Sequence, residues 1–298
     1  MVETLNLNGL TLTRAIEWQD RLLTRPQLIP GSDRATWEQN RSWLVPEFWD
    51  PETEDAWVCS QSLVVESDGA TILIDTGIGN AKTRPSIPPF DNLDTGFLDT
   101  LRAAGADPAD VDIVINTHIH IDHVGGNTRL EAGMWVPTFP NATYLIPRDD
   151  FEHLNRRGSG EPDGSPDEAQ VFSDSVLPVV NAGLAQFYEG THVIDKHVTL
   201  EPAAGHTPGF SIVRLRSGSE QAIFAGDVFH SPMQILRPHE GSCFDDDPVA
   251  AASVRERVLA QAVELRAPIL TNHIPAARAA AIARRDGRYV IDGWVDYS

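Results

Sequence analysis

The sequence predicts an α/β protein in which two β-sheets pack against each other and helices cover the outside. Two observations carry this prediction. Along the 298 residues, a pair of strand-like segments is followed by a helix and a further strand, and this order occurs twice. In addition, the polar residues that could bind a ligand come where strand-like segments end, which is common in α/β sheets.

The first group of elements begins with a predicted β-hairpin. Ser62–Glu66 and Ala70–Asp75 are rich in aliphatic and β-branched residues, and Ser67-Asp68-Gly69 between them is a typical turn sequence. A helix that carries apolar residues over Phe97–Ala104 follows and stops at a glycine. Val111–Asn116 is then predicted to be a buried strand.

The second group contains further strands and one long helix. Short strands are predicted at Ala142–Ile146, His192–Leu200, Ser211–Leu215 and Gln221–Ala225. Asp247 is the expected N-cap of a helix that has Pro248 at its first position. Pro268–Thr271 is expected to be the last buried strand.

Two segments do not fit this regular scheme. Residues 17–57 contain five of the seven tryptophans, with prolines between them. We expect an N-terminal arm there, which either covers the mouth of an active site or simply packs against the fold. Residues 155–168 are polar and rich in glycine and proline, which predicts a mobile surface loop. We expect the whole chain, residues 1–298, to form a single domain.

The composition narrows the classes of partner. A formal charge of −20 argues against a surface that tracks nucleic-acid phosphates, and no apolar run reaches the length of a membrane helix. Two cysteines and a first segment without signal-peptide character predict a cytoplasmic protein. We therefore expect a neutral or hydrophobic small-molecule substrate, no nucleic-acid or membrane partner, and either a monomer or a homodimer.

Four potential metal ligands lie within six residues: His118, His120, Asp122 and His123. Their spacing does not match one face of a helix. In extended backbone His118 and His120 point to the same side, whereas Asp122 and His123 come after a turn. The segment can therefore contribute to two neighbouring metal sites. Four polar groups after a buried strand would be costly without a cation.

Three more candidate ligands each end a strand-like segment: His206, Asp227 and His273. Together with the cluster they make five imidazoles and two carboxylates, a set that suits two zinc ions or similar first-row metals. Glycines such as Gly205 and Gly226 lie next to the ligands and allow sharp turns of the backbone.

These motifs occur in a familiar order between about Ser62 and His273. They are Asp75-Thr76-Gly77, His118-x-His120-x-Asp122-His123, Gly205-His206, Gly226-Asp227 and His273. In this order the sequence resembles the metallo-β-lactamase superfamily. The resemblance implies an αββα sandwich of two mixed β-sheets flanked by helices, with the metals at one edge of the sandwich.

The resemblance also implies a ligand set for two divalent metal ions per chain, with zinc as the expected metal. It assigns His118, His120 and His206 to one ion. It assigns Asp122, His123 and His273 to the other, with Asp227 bridging both. Asp75 would orient a ligand through a hydrogen bond.

The implied chemistry is hydrolysis by a hydroxide shared between the two metals. Asp122 or Asp227 would pass a proton to the leaving group. The expected substrate is a lactone or a carboxyl ester, because the sequence is similar to quorum-quenching lactonases. Those lactonases carry a tyrosine three residues after the bridging aspartate, whereas this chain has His230, an imidazole that can donate a comparable hydrogen bond.

Several alternatives are left open. One is an organophosphate triester hydrolase of the methyl parathion hydrolase type. Another is a mononuclear iron persulfide dioxygenase, and a third is a binding protein with a degenerate site. Aspartate at position 227 disfavours the lactamases that have cysteine there. Asp227 and His273 are only 46 residues apart, which disfavours the RNA-processing nucleases, since these usually carry a large insert before the last histidine. Candidate substrate contacts are Phe229, His230, Met233, Met134 and Trp135.

Overall fold

The computed structural model describes residues 3–158, 166–275 and 278–297. Two seven-stranded β-sheets dominate this part of the chain. Among these residues, no helix is both long enough and apolar enough to cross a bilayer.

The first half of the chain forms the first sheet and a small separate hairpin. The strands are β1 (Glu3–Leu7), β2 (Leu10–Thr24), β3 (Asp55–Ser67), β4 (Ala70–Ile74), β5 (Ile113–Ile115), β6 (Thr128–Glu131), β7 (Met134–Pro137), β8 (Thr143–Pro147) and β9 (Ala185–Tyr188). The sheet has the order β1-β2-β3-β4-β5-β8-β9, and β6 pairs with β7. Neighbours up to β4 are antiparallel, and the pairs from β4 to β9 are parallel. The sheet is therefore mixed.

The second half of the chain forms the second sheet, whose strands follow one another in sequence order. They are β10 (His192–Val193), β11 (Val198–Pro202), β12 (Ser211–Ser217), β13 (Glu220–Phe224), β14 (Ile269–Leu270), β15 (Arg278–Arg285) and β16 (Arg288–Asp296). Only β13 and β14 are parallel within this described sheet. A long helix connects these two strands, as parallel neighbours require.

Ten α-helices are described. They are α1 (Arg25–Leu28), α2 (Arg34–Gln39), α3 (Arg41–Leu44), α4 (Phe97–Ala103), α5 (Ile121–Val124), α6 (Arg148–Gly158), α7 (Pro166–Val171), α8 (Leu177–Asn181), α9 (Met233–Leu236) and α10 (Pro248–Leu265). A π-helical turn, Phe172–Val176, joins α7 to α8. The Asp247 side chain accepts hydrogen bonds from the backbone nitrogens of Val249 and Ala250, so the predicted N-cap of α10 is confirmed.

The apolar core has three layers, which explains the order of elements. Side chains such as Ile72 and Phe224 fill the space between the two sheets. The outer face of the first sheet packs against α4 through residues such as Leu101. The outer face of the second sheet packs against α10 through Val258 and Leu259. The predicted sandwich of two mixed sheets with helices outside is therefore confirmed.

The prediction that residues 17–57 are irregular was wrong. The segment begins within β2, ends within β3 and contains α1, α2 and α3. The pairing of β2 with β3 is shifted twice, next to Trp18 and Leu23, and these bulges interrupt the alternation that would have predicted a strand. Trp37 and Trp49 are fully buried and meet edge to face at 5.6 Å. Part of this arm, including both of these tryptophans, therefore belongs to the core.

Three other boundaries also differ from the predictions. His192–Leu200 is two strands, because the Asp195 side chain accepts hydrogen bonds from the backbone nitrogens of His197 and Val198 and closes a turn there. Pro268–Thr271 is not the last strand, since β15 and β16 follow it; the alanines of β15 have weak strand propensity. The loop predicted at 155–168 is helical at both ends, through Gly158 and from Pro166, and residues 159–165 lie outside the described residues.

Candidate metal centre

The seven predicted ligands come from both sheets and meet at one edge of the sandwich. His118 and His120 follow β5, and the backbone at His120 is still extended. Asp122 and His123 lie on the short helix α5. The remaining ligands follow strands of the second sheet: His206 comes after β11, Asp227 after β13 and His273 after β14. A folded sandwich is therefore needed to assemble the cluster.

One group of potential ligands consists of His118, His120, His206 and Asp227, whose ligand atoms lie within 4.8 Å of one another. The carboxylate of Asp227 lies 3.2 Å from His206 Nε2 and 3.7 Å from His118 Nε2. His206 Nε2 is also 3.0 Å from His120 Nδ1. Three imidazoles and a carboxylate oxygen thus surround one point.

The second group consists of Asp122, His123 and His273, again with ligand atoms within 4.8 Å of one another. Asp122 lies 3.7 Å from both imidazoles. Asp227 lies between the two groups, because its Oδ1 is 3.2 Å from His123 Nε2 and its Oδ2 is 2.8 Å from His273 Nε2. The structure thus brings together the two sets that the resemblance implied. Coordination by each residue stays a prediction.

The polar atoms of the cluster fit a pair of divalent cations. His118 Nε2 is buried and has no hydrogen-bond partner among the described residues. His123 Nε2 and Asp227 Oδ1 are buried as well, and although they lie 3.2 Å apart they do not have the geometry of a hydrogen bond. Such atoms are costly unless something pairs with them. Mixed imidazole and carboxylate donors are the ligand set that zinc and similar metals prefer. The donor chemistry and the unpartnered atoms therefore both suit a metal centre.

Burial and the neighbouring carboxylates together determine which histidines of the cluster are protonated. Burial holds the pKa of His118 and of His120 well below the usual range, so both imidazoles are neutral, the form that binds metals. Burial opposes the charged form of His123 as well, but Asp227, Asp122 and Asp75 outweigh it and raise its pKa. The carboxylates also raise the pKa of His206 to about 9 and raise that of His273, so in the absence of a cation the protons on these imidazoles offset the negative charges.

Asp75 contacts His123, which is the contact expected of a residue that orients a candidate ligand. Its Oδ2 lies 2.9 Å from His123 Nδ1, and its Oδ1 accepts a hydrogen bond of 2.9 Å from the backbone nitrogen of Thr117. Asn272 donates to the same Oδ2 at 3.1 Å. These bonds leave Nε2 of His123 facing the cluster.

Asp245 plays a similar part for His206 and was missed by the sequence reasoning. Its Oδ1 lies 3.2 Å from His206 Nδ1, and its Oδ2 forms a buried ion pair of 3.1 Å with Arg255 of α10. In the sequence, the run Asp245-Asp246-Asp247 indicates only the start of a helix. No local signal distinguishes Asp245 from the other two aspartates.

Asp150 was also missed, although it joins two ligand-bearing segments. Its carboxylate accepts hydrogen bonds from the backbone nitrogen of Ile119 at 3.2 Å, from the Thr207 hydroxyl at 2.9 Å, and from the backbone nitrogen of Gly209. Burial raises the pKa of Asp150 to about 6. The carboxylate fixes the segment around His118 and His120 relative to the segment after His206.

Close backbone approaches explain two of the glycines near the site. A Cβ on Gly125 would lie 1.6 Å from the carbonyl oxygen of Ile78, so the turn after the cluster can touch the loop after β4 only without a side chain. Gly205 has φ +148°, and a Cβ there would lie 2.4 Å from the backbone nitrogen of Ala251 in α10. Both glycines allow ligand-bearing loops to approach other backbone.

A cavity of about 220 Å³ opens onto the cluster. Its polar side includes His120, Asp122, Asp227, His230 and His273. Its other walls are mainly apolar and are formed by Trp18, Leu22, Leu28, Val58, Ile87, Phe90 and Phe244. Trp18 and Phe90 meet edge to face at 5.2 Å. The arm therefore contributes both to the core and to the cavity, so each of the two expectations for it is partly right.

Among the candidate substrate contacts, only His230 lines the described cavity. It stacks on His273 with ring centroids 4.8 Å apart, and its Nε2 lies 3.5 Å from Asp227 Oδ2. Burial lowers the pKa of His230 to about 4. The other candidates lie elsewhere: Phe229 and Met233 are in the core, Met134 is 65% exposed on the β6–β7 hairpin, and the Trp135 ring packs on Lys82.

Residues 56–271 match the sequence model of the metallo-beta-lactamase superfamily. Curated relatives are N-acyl homoserine lactonases. The lactonase AttM of Agrobacterium fabrum is 38% identical over 65 residues, 22% of this chain and 21% of that protein. AttM of Azorhizobium caulinodans is 30% identical over 134 residues, 43% and 45% of the two chains. The lactonase of Bacillus thuringiensis is 23% identical over 157 residues, 49% and 54%. The chain thus spans about half or less of the length of these relatives.

Solved structures resemble the whole chain. The hydrolase AbOPH of the beta lactamase superfamily superposes with a TM-score of 0.80 at 21% identity and covers 100% of this chain and 97% of its own. AidC, a dizinc quorum-quenching lactonase in complex with a product, superposes with a TM-score of 0.75 at 20% identity and the same coverage. At these identities the similarity shows a shared fold.

Proposed function

Because the chain belongs to the metallo-β-lactamase superfamily, we propose that it is a metal-dependent hydrolase that acts on lactones or carboxyl esters with an apolar substituent. The observation that carries the proposal is the position of the cavity. Its apolar walls end directly at the cluster of histidines and aspartates. The naming of its curated relatives as N-acyl homoserine lactonases supports the lactone as the substrate class.

We propose two zinc ions as the cofactor. His118, His120 and His206 would hold one ion and Asp122, His123 and His273 the other, with Asp227 shared. When bound, such ions polarise a carbonyl group and lower the pKa of water to about 7. The described residues contain three overlapping groups of potential ligands, more than a single iron would use, which disfavours the dioxygenase alternative.

The protein's own side chains have distinct tasks in this proposal. The apolar walls bind the substituent and exclude water, so that the carbonyl carbon lies at the polar end. His230 donates a hydrogen bond to the carbonyl oxygen from the cavity wall. Asp122 carries the proton to the leaving oxygen, because its side chain is 15% exposed whereas that of Asp227 is 2% exposed. Of the two aspartates, Asp122 is the one that a substrate can reach more easily.

The test is a substrate panel on protein whose metal content has been measured. The panel contains N-hexanoyl homoserine lactone, γ-decalactone, 4-nitrophenyl butyrate and diethyl 4-nitrophenyl phosphate. We expect two metals per chain and turnover of a lactone or a carboxyl ester. One iron per chain with oxygen uptake would instead identify an oxidoreductase, and turnover of the phosphotriester alone would identify the organophosphate hydrolase.

Asp122→Asn tests the assignment of the proton carrier. We expect turnover to be abolished, whereas Asp110→Asn, a matched change at an exposed site away from the cluster, leaves it unchanged. Full activity of a metal-replete Asp122→Asn protein would exclude Asp122 as the proton carrier.

A further inference from the structure

The cavity has an acidic group that the proposed reaction does not use. Asp167, in the first turn of α7, lines the same cavity as His230 and His273. It is only 4% exposed. A carboxylate at this depth requires partners, because transfer of an unpaired charge from water is strongly unfavourable.

The described partners of Asp167 are few. One oxygen, Oδ2, accepts a hydrogen bond of 3.2 Å from the backbone nitrogen of Ser86. The other, Oδ1, is buried and has no hydrogen-bond partner in the described part of the chain. Both terminal nitrogens of Arg84 bind Asp174 at 2.9 Å, and its Nε forms no hydrogen bond to a described residue, Asp167 included. Asp167 therefore keeps an unused acceptor.

No lysine or arginine is among the described residues of the cavity wall, so none of them supplies a permanent positive charge to this carboxylate. The neighbouring Glu168 adds a second carboxyl group. The chain as a whole carries a formal charge of −20. A molecule in the cavity thus meets the carboxylate of Asp167 and apolar surface at Ile87 and Phe90.

We propose that Asp167 is a specificity-determining residue that binds an N–H group of the substrate, from an amide or an ammonium. This inference rests on the proposed function and names the substrate class more narrowly: a lactone or ester that carries an N–H donor in addition to its reactive carbonyl. Rotation about χ2 of aspartate is soft, so the carboxylate can turn toward such a donor at little energetic cost. The bond to Ser86 keeps the residue at the wall.

Binding of unreactive probes tests the inference without any turnover. N-butylhexanamide and undecan-6-one have the same shape, and differ by one N–H in place of a CH₂. Hexylammonium serves as the cationic probe. Binding to the metal-replete protein is measured by calorimetry. We expect the amide to bind roughly 10-fold more tightly than the ketone, the factor typical of a hydrogen bond to a charged group.

The Asp167→Asn variant separates recognition of the substrate donor from the structural contact of Asp167 with Ser86. Asparagine can still accept the hydrogen bond from Ser86 but lacks the charge and the second acceptor oxygen. We expect the preference for the amide over the ketone to fall about 10-fold in this variant, with ketone binding unchanged. Asp149→Asn, a matched change at an exposed position, keeps the preference. If hexylammonium binds and the amide binds no more tightly than the ketone, the donor group that Asp167 recognises is an ammonium.

Two outcomes would overturn the inference. The first is equal binding of the amide, the ketone and hexylammonium by the unaltered protein. The second is an Asp167→Asn variant that keeps the full preference for a donor, while Asp167→Ala weakens all probes alike, which is the result of a purely structural role. Neither depends on hydrolysis, so failure of the proposed function in the substrate panel is a separate result.

Discussion

At the scale of single residues, two buried carboxylates outside the candidate ligand set fix the arrangement of the histidine and aspartate cluster. Asp245 fixes the ring of His206, and Arg255 in turn fixes Asp245. Asp150 ties the Ile119 backbone to Thr207. Such groups orient ligands and set which imidazole nitrogen carries the proton.

Asp245→Ala tests this role. We expect metal affinity to fall roughly 10- to 100-fold, because His206 loses the acceptor that fixes its ring. Competition with a chromogenic chelator measures the affinity. The control is Asp246→Ala, since Asp246 is exposed and only its backbone nitrogen contacts the carbonyl oxygen of His206. Equal losses in both variants would contradict the assignment.

The sequence indicated the family and the candidate ligands but not the residues that support them. His118, His120, Asp122 and His123 lie within six residues, and the family they indicated is confirmed. Supports such as Asp245 are different, because this residue lies 39 positions from His206 and nothing near it signals the contact. Contacts over such separations follow from the fold and not from local sequence.

At the scale of elements, Lys82 joins three pieces of the fold. Its Nζ binds the Thr128 hydroxyl at 2.6 Å and the carbonyl oxygen of Asp174 at 3.1 Å, and it lies over the Trp135 ring. The loop after β4, the β6–β7 hairpin and the π-helical turn thus meet at one buried amine. Burial lowers the pKa of Lys82 to about 7.

This lysine gives stability a definite pH dependence. Between its native pKa near 7 and its ordinary value of 10.5, the unfolded chain holds a proton that the native chain lacks. Raising the pH through this window therefore favours the native state. We expect the free energy of unfolding, from urea titrations at pH 6.5 to 9.5, to rise with pH relative to that of Lys82→Met. The same pH dependence of the free energy of unfolding in both proteins would contradict the lowered pKa of Lys82.

The tryptophans of the arm serve two different purposes, which paired substitutions separate. Trp37→Ala empties a fully buried position and is expected to reduce the free energy of unfolding by about 3–5 kcal/mol. Trp18→Ala removes a wall of the cavity and is expected to raise KM for long-chain substrates, with a smaller loss of stability. Urea unfolding and steady-state kinetics measure the two effects. A larger loss of stability in Trp18→Ala, or a raised KM in Trp37→Ala, would contradict these roles of the two tryptophans.

Elements with strong local signals were predictable, and those shaped by packing were not. The hairpin of β3 and β4 and the capped start of α10 follow from a turn sequence and from Asp247-Pro248. The bulged β2 has no clean alternation, and β15 is rich in alanine. Neither strand could be recognised, because its partner strands and not its own residues determine its conformation.

At the scale of the whole molecule, the cluster joins the two sheets. His118, His120, Asp122 and His123 follow the first sheet, whereas His206, Asp227 and His273 follow strands of the second. A bound metal therefore holds together segments that separate on unfolding.

Removal of the metals should consequently lower the melting temperature. Ligands that bind only the native state stabilise it by about 4 kcal/mol at a thousandfold excess over Kd. We expect a chelator to reduce the melting temperature and added zinc to restore it, as followed by circular dichroism. A variant that lacks His118 and His273 should show no response to either treatment. An unchanged melting temperature in the unaltered protein would argue against metals that join the sheets.

The distribution of ligands over both sheets also has a consequence for synthesis on the ribosome. His118 is made 155 residues before His273. At roughly 5–20 residues per second, about 8–30 s pass between the two. Until Asp227 has been made, the nascent chain carries the first four candidate ligands without the residues that complete either group. Asp227 completes the first group 46 residues before His273 completes the second, so translation completes the two candidate sites one after the other.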